Sequence, residues 1–231
     1  RGLTLSDTAH YAEAIAMLRD AQRLADSVGD PKQLTYALSM LGRALLLCGD
    51  VQAANDTLGQ SLKLAQHIWT AFVPWPQSLL AEVDLTCGDV DGAAERFEHA
   101  FALGCQLGDP CWEGIAGRGL GRVAIARGEP QRAVEILLDA MARSVRLPDA
   151  YLWGKGYALD LLCGLAVAHA MPHASAWIDE LQSLAARSGM RELTVRSLLH
   201  RAALGDKASG AVARLLASEI DNPALRAVVA L

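Results

Sequence analysis

The sequence lacks several features that would assign a chemistry. Its five cysteines form no C-x-x-C pair, so neither a disulfide framework nor a zinc knuckle is indicated. It contains no phosphate-loop motif, no H-E-x-x-H, no G-x-S-x-G and no G-x-G-x-x-G opening a helix after a strand. We therefore expect no catalytic site, no metal and no cofactor.

Basic runs and long hydrophobic runs are also missing. The chain has 21 basic and 26 acidic side chains, a net charge of -5, and no basic cluster that would neutralise a phosphate backbone, which argues against direct nucleic-acid binding. The longest apolar stretch, Leu161 to Met171, is about half a membrane span, and no signal-peptide pattern opens the chain. We expect a soluble cytoplasmic protein without membrane contact, and Arg1 in place of Met suggests a piece of a longer polypeptide.

What the sequence does contain is an internal repeat. The segment CGDVQAA at 48–54 returns as CGDVDGA at 87–93 and, more loosely, as RGEPQRA at 127–133. One alanine of each unit recurs at intervals of 40, 39, 40 and 41 residues, and each is followed by an apolar residue four positions later and a small or apolar one seven positions later, which is typical of a helix face. The five alanines are Ala14, Ala54, Ala93, Ala133 and Ala174.

A second helix precedes these alanines in most units. It carries the pairs at 41–42, 80–81, 120–121 and 161–162, in which a leucine precedes glycine, alanine or leucine. Gly-Asp or Gly-Glu separates the two helices, because glycine ends one helix and the acidic side chain caps the next. Pro130 and Pro172 are expected at first helical positions, and Cys48 and Cys87, at equivalent positions, are expected to be buried.

These patterns predict an all-α fold, a right-handed α-solenoid of helical hairpins of about 40 residues. We expect a leading second helix, four full hairpins, a fifth shorter hairpin from about Met190 to Ser218, and a closing helix from Pro223 to Val229. Residues 1–231 would form one domain with a half unit at 1–30 and units at 31–69, 70–109, 110–148, 149–189 and 190–231.

The first helices of the hairpins would line a concave face, and that face is the candidate binding site. Positions repeated along them form an aromatic ladder beside a cationic patch, which suits an extended peptide or a small anionic effector. The alternative is that the aromatic side chains fill gaps between hairpins and the arginines are solvated. The candidate residues are Tyr36, Arg43, Phe72, Trp75, Glu82, Trp112, Arg118, Arg122 and Trp153.

Three other motifs have simpler explanations. GRGLG at 117–121 lies where helices are expected to touch, so packing explains its glycines better than phosphate binding. His169 and His173 have the spacing of a helical metal pair, but Pro172 separates them at an expected turn. The arginine-rich segment at 191–202 is better explained as another repeat helix than as a DNA-recognition helix.

Several of these residues resemble the tetratricopeptide repeat (TPR). Leu41 and Gly42 on one helix precede Ala54, Leu58 and Ser61 on the next, and the third unit matches in the same way with Leu120, Gly121, Ala133, Leu137 and Ala140. The unit of 39 to 41 residues exceeds the usual length of about 34. The resemblance implies a scaffold of stacked helices. Because the unit is longer than that of the family, the curvature of the family cannot be assumed for this chain.

A narrower resemblance comes from LGRALLLCGD, LGRVAIARGE and GMRELTVRSLLHRAALGD. These segments are similar to the C-terminal repeat region of large bacterial transcription regulators that combine a STAND-type ATPase with a DNA-binding domain, of the maltose-activator and antibiotic-regulator type. The resemblance implies a sensor arm that contacts the ATPase domain of the same chain and holds it inactive until an inducer or a protein partner binds. The alternative is a general adaptor unconnected with transcription. A homodimer through residues 211–216 and 224–231 is also an expectation.

Overall fold

The computed structural model describes residues 1–146 and 151–229, and this part of the chain contains α-helices, one 3-10 helix at Thr70–Phe72 and no strand. The α-helices, numbered in chain order, are α1 Gly2–Asp7, α2 Tyr11–Ser27, α3 Pro31–Leu47, α4 Val51–Ile68, α5 Pro74–Thr86, α6 Val90–Leu107, α7 Pro110–Ala126, α8 Pro130–Arg143, α9 Leu152–Ala168, α10 Ala174–Ser188, α11 Arg191–Ala203, α12 Lys207–Ser218 and α13 Pro223–Val229.

Antiparallel neighbours form hairpins, α3 with α4, α5 with α6, α7 with α8, α9 with α10 and α11 with α12, and each hairpin packs on the next. The prediction of an all-α, right-handed solenoid of TPR-like hairpins is confirmed. The fifth, shorter hairpin and the closing helix at 223–229 also fall where the sequence placed them. The expected unit boundary at 148 and 149 lies outside the described residues.

Helix ends follow the turn chemistry of the sequence. The carboxylates of Asp50 and Asp89 accept hydrogen bonds from the backbone N–H groups of Ala53 and Gly92, which have no partner within their own helices. Gly108 ends α6 with φ of 66°, a left-handed conformation that costs a residue with a Cβ more than it costs glycine. Local sequence therefore fixes where the hairpins turn.

Three local expectations were wrong. Pro172 is not a first helical position, because α10 begins two residues later at Ala174; Pro130 does begin α8. The leading helix α2 is preceded by α1, where a Cβ on Gly2 would lie 2.6 Å from Leu18 Cγ. In the later hairpins, a glycine of the first helix contacts a leucine of the second helix in the same way. The helix α1 therefore corresponds to the last turns of a first helix. Cys87 is exposed rather than buried.

The glycines of the first helices allow close helix contact. A Cβ on Gly42 would lie 2.5 Å from Leu58 Cγ, and one on Gly121 would lie 2.6 Å from a methyl carbon of Leu137. Gly119, in the GRGLG segment, faces Phe97, whose ring atoms would lie 2.0 Å from an added Cβ. The glycines of this segment therefore serve helix packing.

The two ends of the solenoid meet. The hydroxyl of Tyr11 on α2 donates to the carboxylate of Glu192 on α11. Asn222, just before α13, donates its amide to the backbone oxygen of Leu47 at 3.1 Å and to Glu192 Oε2 at 3.1 Å. Apolar residues of both ends share one buried cluster, which includes Tyr11, Val195, Leu198, Ile220 and Leu225. The hairpins thus close into a ring, with α3, α5, α7, α9 and α11 on its inner side.

Candidate functional site

The aromatic ladder predicted along the inner helices is present as a set of touching rings. Phe72 lies 5.8 Å from Trp112 between ring centroids, Trp112 lies 5.6 Å from Trp75, and Trp75 lies 6.3 Å from Trp153. Tyr36 lies at the edge of this set, 5.9 Å from Phe72. Tilted and edge-to-face arrangements at these distances are favourable for aromatic pairs.

The ladder does not line an open groove. Trp75 is 1% exposed and Trp153 is 3% exposed, because the ring closes and their side chains meet across its centre. Trp112 is half-buried and donates its indole N–H to the backbone oxygen of Ala71 at 3.0 Å, while Tyr36 is 37% exposed. Trp75 and Trp153 therefore do not line the open concave surface that the sequence predicts, and the gap-filling alternative describes Trp153.

Two of the predicted arginines lie close to the Trp153 ring. The guanidinium carbon of Arg43 lies 4.2 Å from the ring centroid and that of Arg118 lies 5.1 Å from it. Arg43, from the first hairpin, also donates to Ser6 Oγ at 3.0 Å and to Asp7 at 2.5 Å. Both arginines are buried, so the solvated alternative does not describe them. Contact between α3 and α9 brings together residues far apart in sequence.

Glu82 on α5 is shared by two arginines of α7. Arg118 donates to Glu82 Oε1 at 2.5 Å, and Arg122 forms an ion pair with the other carboxylate oxygen. The carboxylate is buried, whereas 34% of the Arg122 side chain is exposed. One negative charge therefore faces two positive charges at this point.

A cavity of about 470 Å³ opens beside these groups. Its size falls within the range of small-molecule sites. Four arginines and two carboxylates contribute to its wall, and the rest is mainly apolar. The charged and aromatic lining residues are Arg43, Arg118, Arg122, Arg196, Glu82, Asp160, Trp153 and Tyr157.

Sequence reasoning missed Asp160, Tyr157 and Arg196 at this site. Extending the alanine spacing by one more unit would have pointed to Arg196, because Ala213 follows Ala174 by 39 residues and is fully buried, whereas Tyr157 and Asp160 lie in a unit that the spacing already covers. Arg196 then occupies in its unit the position that Tyr157 occupies in the preceding one. The arginine-rich helix at 191–202 thus directs one arginine into the interior.

Asp160 and Arg196 form a charged group with Glu192 and His200, in which the two carboxylates are buried and the two basic side chains are partly exposed. Arg196 donates to Asp160 at 3.3 Å and to Glu192 at 2.8 Å, and His200 lies 2.7 Å from the second Asp160 oxygen. Burial alone would raise the pKa of Asp160, but the positive charge of Arg196 and the contact with His200 lower it below its usual range. Asp160 is therefore ionised at neutral pH.

Burial also affects the tyrosine of the cavity. It raises the pKa of the Tyr157 hydroxyl, and the negative charge of Glu192 adds to this effect. Tyr157 is therefore a neutral hydrogen-bonding group at any physiological pH. Its ring lies 4.7 Å from that of Trp153, which extends the aromatic wall.

Several buried donors around the ring centre have no partner among the described residues. They include the Nε atoms of Arg43 and Arg118 and the indole nitrogens of Trp75 and Trp153. A buried donor without an acceptor is costly, so such groups in a native protein indicate an acceptor from a ligand or water. Two of the four belong to arginines that line the cavity.

A second, smaller pocket of about 160 Å³ lies towards the N-terminal ends of the inner helices. It is almost wholly apolar and includes Tyr36, Phe72, Trp75, Trp112 and Tyr151 in its wall. The nine predicted site residues therefore divide between two places: the aromatic pocket and the arginine-lined cavity, with the buried layer of Trp75, Arg43 and Trp153 between them.

Other candidate chemistry is not assembled in the part of the chain that the structure describes. No group of three or more metal-ligating side chains occurs there, and His169 and His173 cap the ends of two different helices, α9 and α10. Within the same residues, no helix combines the length and apolarity needed to cross a bilayer.

Comparison with known proteins identifies the class of fold. No family model matches the sequence, and no curated protein matches it. Among solved structures, BtubC from P. vanneervenii is similar over 94% of this chain and 92% of its own, with a TM-score of 0.59 and 18% identity. A kinesin light chain with nearly identical TPR-like repeats from Podosopora anserina is similar over 80% of this chain and 91% of its own, with a TM-score of 0.51 and 18% identity. The chain has a TPR-like helical-repeat fold.

Proposed function

We propose that this chain is a non-enzymatic sensor domain that binds a small effector inside its ring. The domain comprises residues 1–231, divided into the half unit and five units set out above. The observation that carries the proposal is the cavity, because it combines a ligand-sized volume with a wall of four arginines and two aromatic rings. The sequence offers no nucleophile and base pair that would favour an enzyme.

Binding of the effector would stabilise the closed form of the ring. Arg43 and Leu46 of α3 and Trp153 and Tyr157 of α9 contribute to one cavity, and α13 contributes Val228. A ligand that contacts all three elements binds the closed ring more tightly than any opened form, so it shifts the population towards closure. This coupling would let a bound effector change the surface that the domain presents to a protein partner.

A thermal-shift screen of small organic molecules against the purified chain tests the proposal. A ligand that binds only the folded protein raises the melting temperature in a concentration-dependent way. A hit should lose its effect when Leu79, in the cavity wall, is changed to Trp to fill the space. The variant Leu138→Trp, at an exposed position of α8, is the matched control and should respond like the wild type. A broad metabolite panel without any specific hit would contradict the proposal.

The regulatory setting follows from the sequence resemblance. We propose that the domain belongs to a bacterial transcription regulator, in the cytoplasm, where it contacts a STAND-type ATPase domain of the same polypeptide and does not itself touch nucleic acid. A gene that encodes a phosphate-loop ATPase and a DNA-binding domain together with this chain would support the setting. A gene that encodes neither would favour the alternative, a general adaptor that binds proteins or peptides.

Self-association is a further part of the proposal. Val212 and Leu215 on α12 are exposed, as is Val228 on α13, whereas Ala213 of the same stretch is buried within the ring. The exposed side chains form the contact we propose for a homodimer; residues 230 and 231 of the expected segment lie outside the described part. Analytical ultracentrifugation of the wild type and of Leu215→Glu tests this, since a dimer should become a monomer.

A further inference from the structure

The wall of the cavity has four arginines and two carboxylates, and two of the arginines share one carboxylate. Glu82 is the hydrogen-bond or ion-pair partner of both Arg118 and Arg122, and neither arginine has another direct carboxylate partner among the residues described. Arg118 is almost fully buried, whereas 34% of the Arg122 side chain is exposed to the cavity or solvent.

The other two arginines of the cavity have their own counter-charges. Arg43 pairs with Asp7, and Arg196 pairs with both Asp160 and Glu192. Arg196 thus has two direct carboxylate partners, whereas Arg118 and Arg122 share one, so these two guanidinium groups are the ones with room for a further anionic partner.

The rest of the wall is mainly apolar. It is formed by aliphatic side chains of α3, α4, α5 and α9 together with the rings of Trp153 and Tyr157. Such a surface favours the burial of hydrocarbon, and aromatic faces favour a flat ring. The aliphatic residues are Leu46, Leu47, Val51, Leu79 and Leu161.

We propose that the effector is an organic anion with an apolar body, its anionic group bound by Arg118 and Arg122 and its body against Trp153 and Tyr157. This inference rests on the proposed sensor function and names the chemical class of its ligand. A carboxylate suits the site because guanidinium groups donate paired hydrogen bonds to its two oxygens. Glu82 provides one negative charge for Arg118 and Arg122 together, and the anionic group of the ligand would provide a second one.

Three probes separate the parts of this proposal. Isothermal titration calorimetry with 2-naphthoate tests the complete ligand, 2-naphthamide has the same body without the charge, and inorganic phosphate has charge without the body. We expect naphthoate to bind about tenfold or more tightly than naphthamide, since a hydrogen bond to a charged group contributes about 1.5 to 3 kcal/mol. Phosphate should bind more weakly than naphthoate.

Two variants locate the anionic group. Arg122→Gln removes one of the two charges that share Glu82 and leaves Glu82 paired with Arg118, so the protein should fold and its preference for naphthoate over naphthamide should disappear. Arg127→Gln, one turn further along the chain, loses only a surface ion pair with Asp91 and should retain the preference. In wild type, the indole N–H resonance of Trp153, assigned with Trp153→Phe, should shift on titration with naphthoate.

The outcomes distinguish this inference from the sensor function. Equal binding of naphthoate and naphthamide, or a preference that survives in Arg122→Gln, would overturn the anionic class while leaving a sensor of neutral ligands. Phosphate binding as tight as that of naphthoate would overturn the apolar body. If neither naphthalene probe binds, the inference fails, and the wider metabolite screen then decides separately whether the sensor function fails with it.

Discussion

Gly119 shows how a single residue limits the packing of this ring. An added Cβ would lie 2.0 Å from the ring of Phe97, which is fully buried and belongs to the neighbouring helix α6. Overpacking of this kind forces side chains or backbone to move. The glycine is therefore required by its neighbour and not by its own backbone conformation.

We expect Gly119→Ala to lower the free energy of unfolding by about 1 to 3 kcal/mol, measured by urea denaturation. Gly59 is the matched control, because it also lies within a helix but has nothing within 4 Å of an added Cβ. Gly59→Ala should raise the stability by about 0.5 to 1 kcal/mol, since alanine loses less backbone entropy in a helix. Equal effects of the two changes would contradict the packing argument.

Asp160 makes the stability of the ring dependent on pH. Its pKa is lowered in the folded protein, so the unfolded state binds more protons as the pH falls through the acidic range. The stabilisation is complete above the unfolded pKa of about 3.9 and is lost as the pH falls through the folded pKa. Arg196 and His200 then lose a charged partner.

We expect Asp160→Asn to destabilise the protein by about 1 to 3 kcal/mol at pH 7. Between pH 7 and pH 3, the variant should lose less stability than the wild type, because its amide does not titrate. Urea denaturation at the two pH values measures both quantities. Parallel losses in the two proteins would show that Asp160 does not carry this pH dependence.

Among the secondary-structure elements, the closing helix α13 belongs to no hairpin, and Asn222 joins its start to two other helices. Asn222 precedes it, is fully buried, and joins Leu47 at the end of α3 to Glu192 on α11. The side-chain oxygen of Asn222 also accepts from the N–H of Leu225 and so caps α13. A single amide thus links both ends of the ring.

We expect Asn222→Ala to cost about 1 to 3 kcal/mol of stability, because it leaves the Leu47 oxygen and the start of α13 without partners. Amide hydrogen exchange should increase in α13 and at the end of α3 before it does so in α7. Asn55→Ala, at an exposed position of α4, is the control and should leave exchange unchanged. Uniformly faster exchange in the Asn222 variant would mean that it weakens the whole domain and not the closure.

Helix order and most helix bounds could be predicted from the sequence, since Gly-Asp turns and the recurring alanines depend on neighbours in the chain. Ala54, Ala93 and Ala133 are all fully buried, as their spacing indicates. Pro172 was misleading because a proline, Pro130, begins the second helix of the previous unit, yet the turn after α9 is longer than the turn after α7. The spacing of apolar residues predicts accurately which face of a helix is buried, but it predicts the first residue of the helix less accurately.

At the scale of the whole molecule, the decisive contacts join residues that repeats do not relate. Arg43 lies on Trp153 because the solenoid curves enough to bring α3 against α9, and small rotations between hairpins add up along the chain. The repeat pattern predicts that a concave face exists, but it does not predict how strongly that face curves. The sequence therefore identified the residues that converge, and only the structure showed that they fill the centre and leave a separate cavity.

The central claim is that the hairpins close into a ring around that cavity, and small-angle X-ray scattering on the monomer peak of a size-exclusion column tests it most directly. A compact domain of this length has a radius of gyration of about 17 Å, and a closed ring with a small cavity should lie close to that value. An open solenoid holds its end hairpins far apart. A radius well above this value, with an elongated distance distribution, would contradict the account.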